Sequence, residues 1–177
     1  MAGRLCLVTL WLYGKDRIIL SIIAIIIIAA LVVIDQLTKL YALNVIKPQG
    51  FVKVIDNFYY FTYVENRGAA FGMLQNKQWF FIAVTVVILG VLIGVLVKYK
   101  IEGKLFYTAV VLVFAGGIGN LIDRVFRGYV VDFLQFSFFP PVCNLADYYI
   151  TVGAVMLVIS VAFCKKNIAP RKVKAEE

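Results

Sequence analysis

Four long apolar runs alternate with shorter, more polar stretches along the 177-residue chain. The runs cover Ile18–Ile34, Trp79–Val97, Leu105–Ile122 and Tyr148–Phe163, and none of them contains a charged residue. Each run approaches the roughly 20 helical residues that span the hydrocarbon core of a bilayer. One such run could be a buried core helix, but four in so short a chain predict four transmembrane helices.

Composition indicates the same class of protein. Hydrophobic residues make up 63% of the chain and the mean hydropathy is +0.92, which is more apolar surface than one small soluble core can bury. The net charge of +8 does not predict nucleic-acid binding, because the basic residues lie between apolar runs rather than on one polar domain. The sequence therefore predicts a single polytopic membrane domain over residues 1–177.

Charge asymmetry predicts the orientation of the chain. The N-terminal segment 1–17, the turn 98–104 and the tail 164–177 hold eleven Lys or Arg against four acidic residues. The larger connections, about 35–78 and 123–147, hold seven against six. The positive-inside rule places the more basic side in the cytoplasm, so both termini are expected there and both larger connections outside. Segment 1–17 is interpreted as a short interfacial segment or an upstream extension.

The first outer connection contains a predicted hairpin. Residues Phe51–Val64 are rich in aromatic and β-branched side chains, and Asp56 and Asn57 form a plausible turn. An aromatic belt at the lipid headgroups is an alternative interpretation, and a small sheet on the membrane surface satisfies both. The following "ENRGAAFG" (Glu65–Gly72) has small residues that allow close backbone approach.

Three further patterns are interpreted as packing or local pairing. "GGIGN" (Gly116–Asn120) lies inside an apolar run, where small residues favour close helix packing rather than a nucleotide loop. Gly90 and Gly94 form a second pair of small residues at helical spacing. Asp35 and Lys39 stand four apart on one helical face, which predicts an ion pair at the membrane edge and leaves open a role in supporting a site.

The residue types that are present narrow the chemistry. The chain has no histidine, which excludes Ser-His-Asp and Cys-His catalysis and histidine-rich zinc sites. Its three cysteines show no Cys-x-x-Cys spacing and are predicted on opposite sides of the membrane, so a disulfide framework is not expected. Carboxylates are the acid/base groups that remain in quantity.

The second outer connection carries three of these carboxylates. Asp123 has Arg124 beside it, so it is either a structural ion pair or a functional group. Asp132 and Asp147 have apolar or neutral neighbours, which favour raised pKa values. Two carboxylates about 4 Å apart repel by roughly 4 kcal/mol at an effective dielectric near 20, so such a pair would share one proton. That is the arrangement with which aspartic proteases activate a water molecule.

Structural alternatives remain open for both members of this pair. Asp147 follows Asn144 by three residues, which is the spacing of a helix cap, and its charge would suit a helix N-terminus. Asp132 could be a surface charge beside the membrane.

Five short motifs follow one another along the chain: "DQLTK" (Asp35–Lys39), "ENRGAAFG" (Glu65–Gly72), "GGIGNLIDR" (Gly116–Arg124), "VVDF" (Val130–Phe133) and "NLAD" (Asn144–Asp147). In sequence and in order they resemble the motifs of the bacterial lipoprotein signal peptidase (signal peptidase II) family. Each motif alone is weak, but five in order on four crossings are specific. The similarity extends from about Ile18 to Phe163.

The resemblance implies an aspartic endopeptidase with Asp132 and Asp147 as catalytic pair and with no metal or cofactor. It implies that diacylglyceryl-modified prolipoproteins are cut immediately before the lipidated cysteine. Asn66, Arg124 and Asn144 would contact the substrate or the antibiotic globomycin. The site would be supported by three further residues, namely Asp35, Asn120 and Asp123.

The resemblance also implies a monomer in the bacterial cytoplasmic membrane, surrounded by phospholipid, with its active site and a β-cradle at the outer face. The chain departs from the family's pattern in having Cys143 where a Phe usually precedes the Asn. The span from Asp132 to Asp147 is also short. These departures affect local packing and the closing of the outer loop rather than the reaction class.

Other classes of function explain less of the pattern. An ion-coupled transporter would use carboxylates as a relay, but it favours broken helices at the midplane and paired repeats. A presenilin-like protease would have a Gly-x-Gly-Asp signature, which is absent around these acids. A purely structural membrane subunit would leave the outer carboxylates without a role.

Overall fold

Four long helices form most of the molecule. The computed structural model describes residues 2–68, 74–101, 103–163 and 168–170. The long helices are α1 (Ala2–Tyr41), α3 (Gln78–Lys98), α4 (Lys104–Arg127) and α5 (Leu145–Phe163). Within the described residues, each of the four includes a segment long and apolar enough to cross a membrane. The predicted four-helix membrane fold is confirmed.

Helix α4 is the central helix of the four. It packs against α1, α3 and α5 and contains ten buried residues, whereas no residue of α3 is buried. Close approach to α5 depends on glycine, because a Cβ added at Gly116 would overlap the carbonyl of Ala146. A Cβ added at Gly153 of α5 would lie 2.9 Å from the carbonyl oxygen of Ala109. The packing interpretation of Gly116–Asn120 therefore agrees with the structure.

Helix α1 changes its winding at its C-terminal end. It continues into a π-helical turn, Ala42–Ile46, and then the short helix α2 (Lys47–Gln49). Pro48 cannot donate a backbone hydrogen bond, and in a regular α-helix its ring would clash with the carbonyl four residues earlier, which explains the wider turn. Ala42 and Ile46 of this turn are buried and pack against the sheet described next.

A four-stranded antiparallel sheet covers one end of the helices. Its strands are β1 (Phe51–Ile55), β2 (Tyr59–Asn66), β4 (Val130–Phe136) and β5 (Phe139–Cys143), in the order β1-β2-β4-β5. The predicted hairpin corresponds to β1 and β2, which pair with Phe51 opposite Thr62. Asn57 has a φ of +55° in the turn between them, a left-handed conformation that Asn tolerates.

The central pairing of this sheet joins β2 to β4. Asn66 lies opposite Val130, and Val64 lies opposite Asp132. Val131, Phe133 and Leu134 of β4 are buried in the cluster that includes the π-helical turn. The sheet therefore brings the end of the first outer connection beside the second. A separate two-stranded antiparallel pair joins β3 (Tyr99–Ile101), which directly follows α3, to β6 (Ile168–Pro170).

Several predicted features differ from the structure. Helix α1 extends beyond the predicted crossing at both ends. The backbone of residues 2–17 is helical and belongs to α1. Helix α4 continues to Arg127, so Asp123 lies in a helix rather than in a connection. Gly90 and Gly94 pack against no described residue, since a Cβ added at either would meet nothing within 4 Å. The packing interpretation of that pair was therefore wrong for contacts with the part of the chain that the structure describes.

Candidate active site

Asp132 lies in strand β4 and is held by two side-chain amides. Its side chain is only 1% exposed, so the alternative of a surface charge was wrong. Asn66 donates from Nδ2 to Asp132 Oδ2 at 2.8 Å, and Asn144 donates from Nδ2 to Asp132 Oδ1 at 2.6 Å. The sheet explains the first contact, because β2 and β4 pair and Asn66 is the last residue of β2.

The orientation of the Asn66 amide is fixed by the backbone two residues further along the chain. Its Oδ1 accepts a hydrogen bond from the Gly68 N–H at 3.0 Å, so its Nδ2 is the atom directed at Asp132. Beside it, Glu65 pairs with Arg67 at 2.9 Å and with Lys47 at 3.2 Å. The Arg67 hydrogen bond lowers the pKa of Glu65. This exposed network ties the end of β2 to helix α2.

Asp147 lies in the first turn of α5 and forms a reciprocal cap with Asn144. Its backbone N–H donates to Asn144 Oδ1 at 3.0 Å, and the Asn144 N–H donates to Asp147 Oδ2 at 3.1 Å. The capping alternative raised for Asp147 is therefore correct, and the capped residue also faces the site. Its other oxygen, Oδ1, accepts a hydrogen bond from Asn120 Nδ2 of α4 at 2.8 Å.

Asn144 connects the two aspartates. One residue donates from its side chain to Asp132 and from its backbone to Asp147. Burial, and after it the nearby charge of Asp147, raises the pKa of Asp132 to about 7, although the amides of Asn66 and Asn144 act in the opposite direction. The apolar and neutral sequence neighbours of Asp132 predicted a raised pKa, and that prediction is confirmed. A carboxyl group with such a pKa can hold or release a proton near neutral pH.

A buried cluster of charged side chains contacts the two elements that carry Asp132 and Asp147. Lys39, Asp35 and Asp123 are each 0% exposed. Lys39 Nζ lies 2.9 Å from Asp35 Oδ2 and 3.1 Å from Asp123 Oδ2, so the predicted Asp35–Lys39 pair is confirmed. Each acid also accepts a backbone N–H at 3.0 Å, Asp35 from Ala146 and Asp123 from Val131. The cluster is therefore bonded to both elements that carry the catalytic candidates.

The expected ion pair between Asp123 and Arg124 was wrong. Among the described residues, Asp123 pairs with Lys39 and with Arg127, one helical turn further on. Consecutive residues point to different sides of a helix, whereas residues four apart share a face. Arg124 instead lies over the Phe81 ring, with its guanidinium carbon 5.1 Å from the centroid.

Sequence reasoning missed two supporting residues, namely Gln36 and Arg127. Gln36 donates to the Gly119 carbonyl at 3.1 Å and to Asp123 Oδ1 at 3.3 Å, and it accepts from Arg127. The i,i+4 spacing of Asp123 and Arg127 was a usable signal for their pairing. Lys39 was interpreted as a partner of Asp35 with a possible role in supporting the site, but nothing local in the sequence indicates its contact with Asn120.

A cavity of about 540 Å³ opens beside the aspartates. Asp147, Asn66 and Arg124 are the charged or amide side chains in its wall, and Asp132 is not in the wall. The remaining lining is mostly apolar and aromatic and consists of Gly68, Phe81, Phe136, Phe138, Phe139, Pro141, Val142, Cys143, Tyr148 and Thr151. A hydrophobic ligand with one polar, hydrolysable segment fits a cavity with this lining.

Cys143 is part of this wall and has a free thiol. Burial, followed by the charges of Asp147 and Asp132, raises the pKa of the thiol to about 11. The thiol is therefore protonated at neutral pH and is a poor nucleophile. Across the described residues, no group of three or more His, Cys, Asp or Glu is arranged to hold a metal ion.

Fold and site together define a class: a polytopic membrane protein with two amide-held aspartates where a small sheet meets the helix ends. The family model described as Signal peptidase (SPase) II matches residues 15–163. The chain belongs to the signal peptidase II family and is therefore a peptidase.

Similar proteins agree with this assignment. The chain is 53% identical over 134 residues to a lipoprotein signal peptidase of Caldanaerobacter subterraneus subsp. tengcongensis, covering 76% of this chain and 92% of that protein. It is 43% identical over 144 residues to the lipoprotein signal peptidase of Clostridioides difficile, covering 78% and 94%. A bacterial membrane enzyme solved by the in meso method at 2.3 Å superposes with a TM-score of 0.74 and 34% identity, covering 87% and 93%.

Proposed function

We propose that this chain is an aspartic endopeptidase that removes signal peptides from diacylglyceryl-modified prolipoproteins, immediately before the lipidated cysteine. The name of its relatives, lipoprotein signal peptidase, supports the class of substrate. The observation that carries the aspartic mechanism is the bridge through Asn144, which donates to Asp132 and to Asp147 at once. Among the described residues, no other two carboxylates are bridged by one donor residue and have a member in the cavity wall.

The pair would work with one shared proton. The ionised aspartate takes a proton from a water molecule as its oxygen attacks the scissile carbonyl carbon, while the protonated aspartate donates its proton to the carbonyl oxygen. Collapse of the tetrahedral intermediate breaks the C–N bond, and the proton gained from water goes to the leaving amine. The proton on the former carbonyl oxygen returns to the pair, so the starting state is restored.

The cavity suits this substrate. Its aromatic and aliphatic wall would hold acyl chains, and Arg124 and Asn66 in the wall supply donors for the peptide backbone around the scissile bond. Asn144, the third substrate contact that the resemblance implies, is buried and does not line the cavity, so we assign it to holding Asp132. Both oxygens of Asp132 already accept amide hydrogen bonds in this state. A substrate carbonyl that reaches Asp132 would therefore replace the Asn66 donor, which is the amide that lines the cavity.

The charge asymmetry supports the placement of this reaction. The enzyme would act as a monomer among the phospholipids of the bacterial cytoplasmic membrane, with both termini in the cytoplasm and the active site at the outer face. Asp35, Asn120 and Asp123 would hold the catalytic pair in position through the contacts described above. No metal or cofactor takes part in the proposed reaction.

The test uses the full-length chain purified in detergent and a synthetic prolipoprotein peptide that carries diacylglyceryl on its cysteine. Mass spectrometry should show release of the segment before that cysteine, and the matched peptide without lipid should stay intact. Asp132→Asn serves as the inactive control. Globomycin should block the reaction, while EDTA and serine-directed reagents should not.

Two outcomes would contradict the proposal. Equal cleavage of the peptide without lipid would show that the diacylglyceryl group is not recognised. Loss of activity in EDTA that zinc restores would place the enzyme in a different catalytic class.

A further inference from the structure

Lys39 is the most completely buried cation among the described residues, and its contacts reach both halves of the site. Its side chain is 0% exposed, and its ammonium group has three neighbours: Asp35 at 2.9 Å, Asp123 at 3.1 Å and Asn120 at 2.9 Å. A lysine ammonium has three hydrogens and no acceptor, so all of its donors are used. Neutralising two carboxylates accounts for two contacts and leaves the contact with Asn120 to be explained.

The contact with Asn120 decides which way its amide faces. An ammonium can only donate, so the atom of Asn120 that faces Lys39 must be the oxygen, Oδ1. The Nδ2 group must then face the opposite way, where it donates to Asp147 Oδ1 at 2.8 Å. If the amide were reversed, a carbonyl oxygen would face the carboxylate of Asp147, and the two acceptors would repel each other.

The two acids beside Lys39 extend its influence to the backbone. Asp35 accepts the N–H of Ala146, which immediately precedes Asp147 in α5. Asp123 accepts the N–H of Val131, which immediately precedes Asp132 in β4. Lys39 therefore lies at the junction of three hydrogen-bonded routes, two to Asp147 and one to Asp132.

We propose that Lys39 is a positioning residue of the peptidase: it fixes the Asn120 amide as a donor to Asp147 and keeps the catalytic pair singly ionised at working pH. This inference rests on the proposed function of Asp132 and Asp147. Lys39 does not line the cavity, so it acts through Asn120 and through its charge rather than by touching substrate.

The charges around the catalytic pair give the direction of the effect. The charged or titratable groups around it are Asp35 and Lys39 on α1, Asp123, Arg124 and Arg127 on α4, Cys143 of β5 and Tyr148 of α5. Loss of the Lys39 charge leaves Asp35 and Asp123 with Arg127 as the remaining close cation. The region becomes more negative, so the pair holds its protons to a higher pH.

The test compares Lys39→Met, Lys39→Arg, Asn120→Ala and the double variant Lys39→Met with Asn120→Ala, using the full-length enzyme and the lipidated peptide. Lys39→Met should lower kcat about 10- to 100-fold with KM within about twofold, and should move the acidic limb of the pH–rate profile upward by about one pH unit. Lys39→Arg should restore part of both. At its own pH optimum, the double variant should have a kcat no more than about threefold below that of Asn120→Ala, because both changes remove the same contact. It should also show the upward shift of the acidic limb that loss of the Lys39 charge causes. Lys53→Met, at an exposed lysine of the hairpin, is the matched control and should behave as wild type.

Removal of a buried cation can prevent folding, so two other variants keep the inference testable. Lys39→Met combined with Asp35→Asn balances the charge, keeps the Asp123–Arg127 pair, and leaves an oxygen at residue 35 for the Ala146 N–H. It should fold with the low kcat of Asn120→Ala. Asn120→Asp keeps a partner for Lys39 but presents an acceptor to Asp147, so kcat should fall and the acidic limb should move upward.

Infrared measurement of the protonated carboxyl band against pH, which needs no substrate, separates failure of this inference from failure of the proposed function. An upward shift of that titration in Lys39→Met supports the role of Lys39 even in a chain that cleaves no lipopeptide. The inference is overturned if folded Lys39→Met keeps the wild-type kcat and pH profile, if its effect multiplies with that of Asn120→Ala, or if Asn120→Asp behaves as wild type.

Discussion

Asn144 and Asp147 donate backbone hydrogen bonds to each other's side chains across the first turn of α5, at 3.1 and 3.0 Å. The reciprocal cap that begins the helix is thus built from the residues that the proposed mechanism uses. Asn144 has a second task, because its Nδ2 group donates to Asp132 at 2.6 Å. Structural capping and the proposed catalytic role are therefore compatible for Asp147, since one arrangement allows both.

The two tasks of Asn144 can be separated by substitution. Serine is as good a cap as asparagine, but it has no amide to donate to Asp132. The change of cap in Asn144→Ser should alter the free energy of unfolding by no more than about 0.5 kcal/mol. The variant should lower kcat/KM about 10- to 100-fold, because it loses a hydrogen bond to a charged group. Asn144→Ala loses both contacts and should be less stable by a further ~1 kcal/mol. Equal activity of the serine variant and wild type would show that the contact with Asp132 is dispensable.

The three outer carboxylates should respond differently to loss of charge. Asp132→Asn or Asp147→Asn removes one member of the shared-proton pair and should lower turnover by several orders of magnitude, and the double variant should be little worse. Asp123→Asn instead breaks the buried pairs with Lys39 and Arg127, which costs roughly 3–5 kcal/mol of stability. Some cleavage should remain in the protein that folds. The turnover of each variant must be reported together with its yield of folded protein. If folded Asp132→Asn is active and folded Asp123→Asn is inactive, the catalytic pair is Asp123 and Asp147.

Much of the fold could be predicted because membrane-spanning helices leave a simple pattern. Uncharged runs near 20 residues gave the four helices, and aromatic, β-branched composition gave the β1–β2 hairpin. Strands β4 and β5 were not predicted. They follow a helix that extends to Arg127, and the pairing of β4 with the hairpin depends on contacts about 70 residues apart in sequence, which local composition cannot show.

The same division applies to the site. Asp132 and Asp147 could be chosen because each is an acid among neutral neighbours in a chain without histidine. The partner of Asp123 could not be read from its adjacent arginine, since helical geometry directs Arg124 to Phe81 and places Arg127 on the face of Asp123. The link from Lys39 to Asn120 joins residues 81 apart in sequence, so only the packing of α1 on α4 reveals it.

The predicted orientation can be tested by cysteine labelling. In a background with Cys6, Cys143 and Cys164 changed to serine, Asp56→Cys places a thiol in the exposed hairpin turn and Lys98→Cys places one at the end of α3. In intact cells, an impermeant maleimide should label residue 56 and reach residue 98 only after the membrane is opened. The opposite pattern would put Asp132 on the cytoplasmic side and contradict the proposed processing of exported proteins.

Glycine at position 119 is required by the approach of Asp35. A Cβ added there would lie 2.6 Å from Asp35 Oδ2, so Gly119→Ala should push the carboxylate away from Lys39 and disturb the Ala146 contact. We expect a loss of about 1–3 kcal/mol in the free energy of unfolding, together with reduced turnover. Gly90→Ala is the matched control, because a Cβ there meets nothing within 4 Å. It should be neutral or stabilising by up to about 1 kcal/mol. A parallel loss in both variants would mean that adding a methyl group to these helices is destabilising in itself and that contact with Asp35 does not set the effect.

The raised pKa of Asp132 also predicts how stability varies with pH. Its carboxyl group titrates near 3.8 in the unfolded chain and at about 7 in the folded protein, so between these values the folded state binds more protons. The contribution is fully present below about pH 4 and is lost as pH rises through about 7, with a total near 4 kcal/mol at roughly 1.4 kcal/mol per pKa unit. Asp132→Asn cannot titrate, and its midpoint of thermal unfolding should fall less between pH 4.5 and pH 8 than that of wild type. The comparison concerns the slope within each protein, because the new amide faces the Asn66 and Asn144 donors and can lower stability at every pH. Identical slopes in the two proteins would show that Asp132 carries no raised pKa in the folded state and would remove the basis for a shared proton near neutral pH.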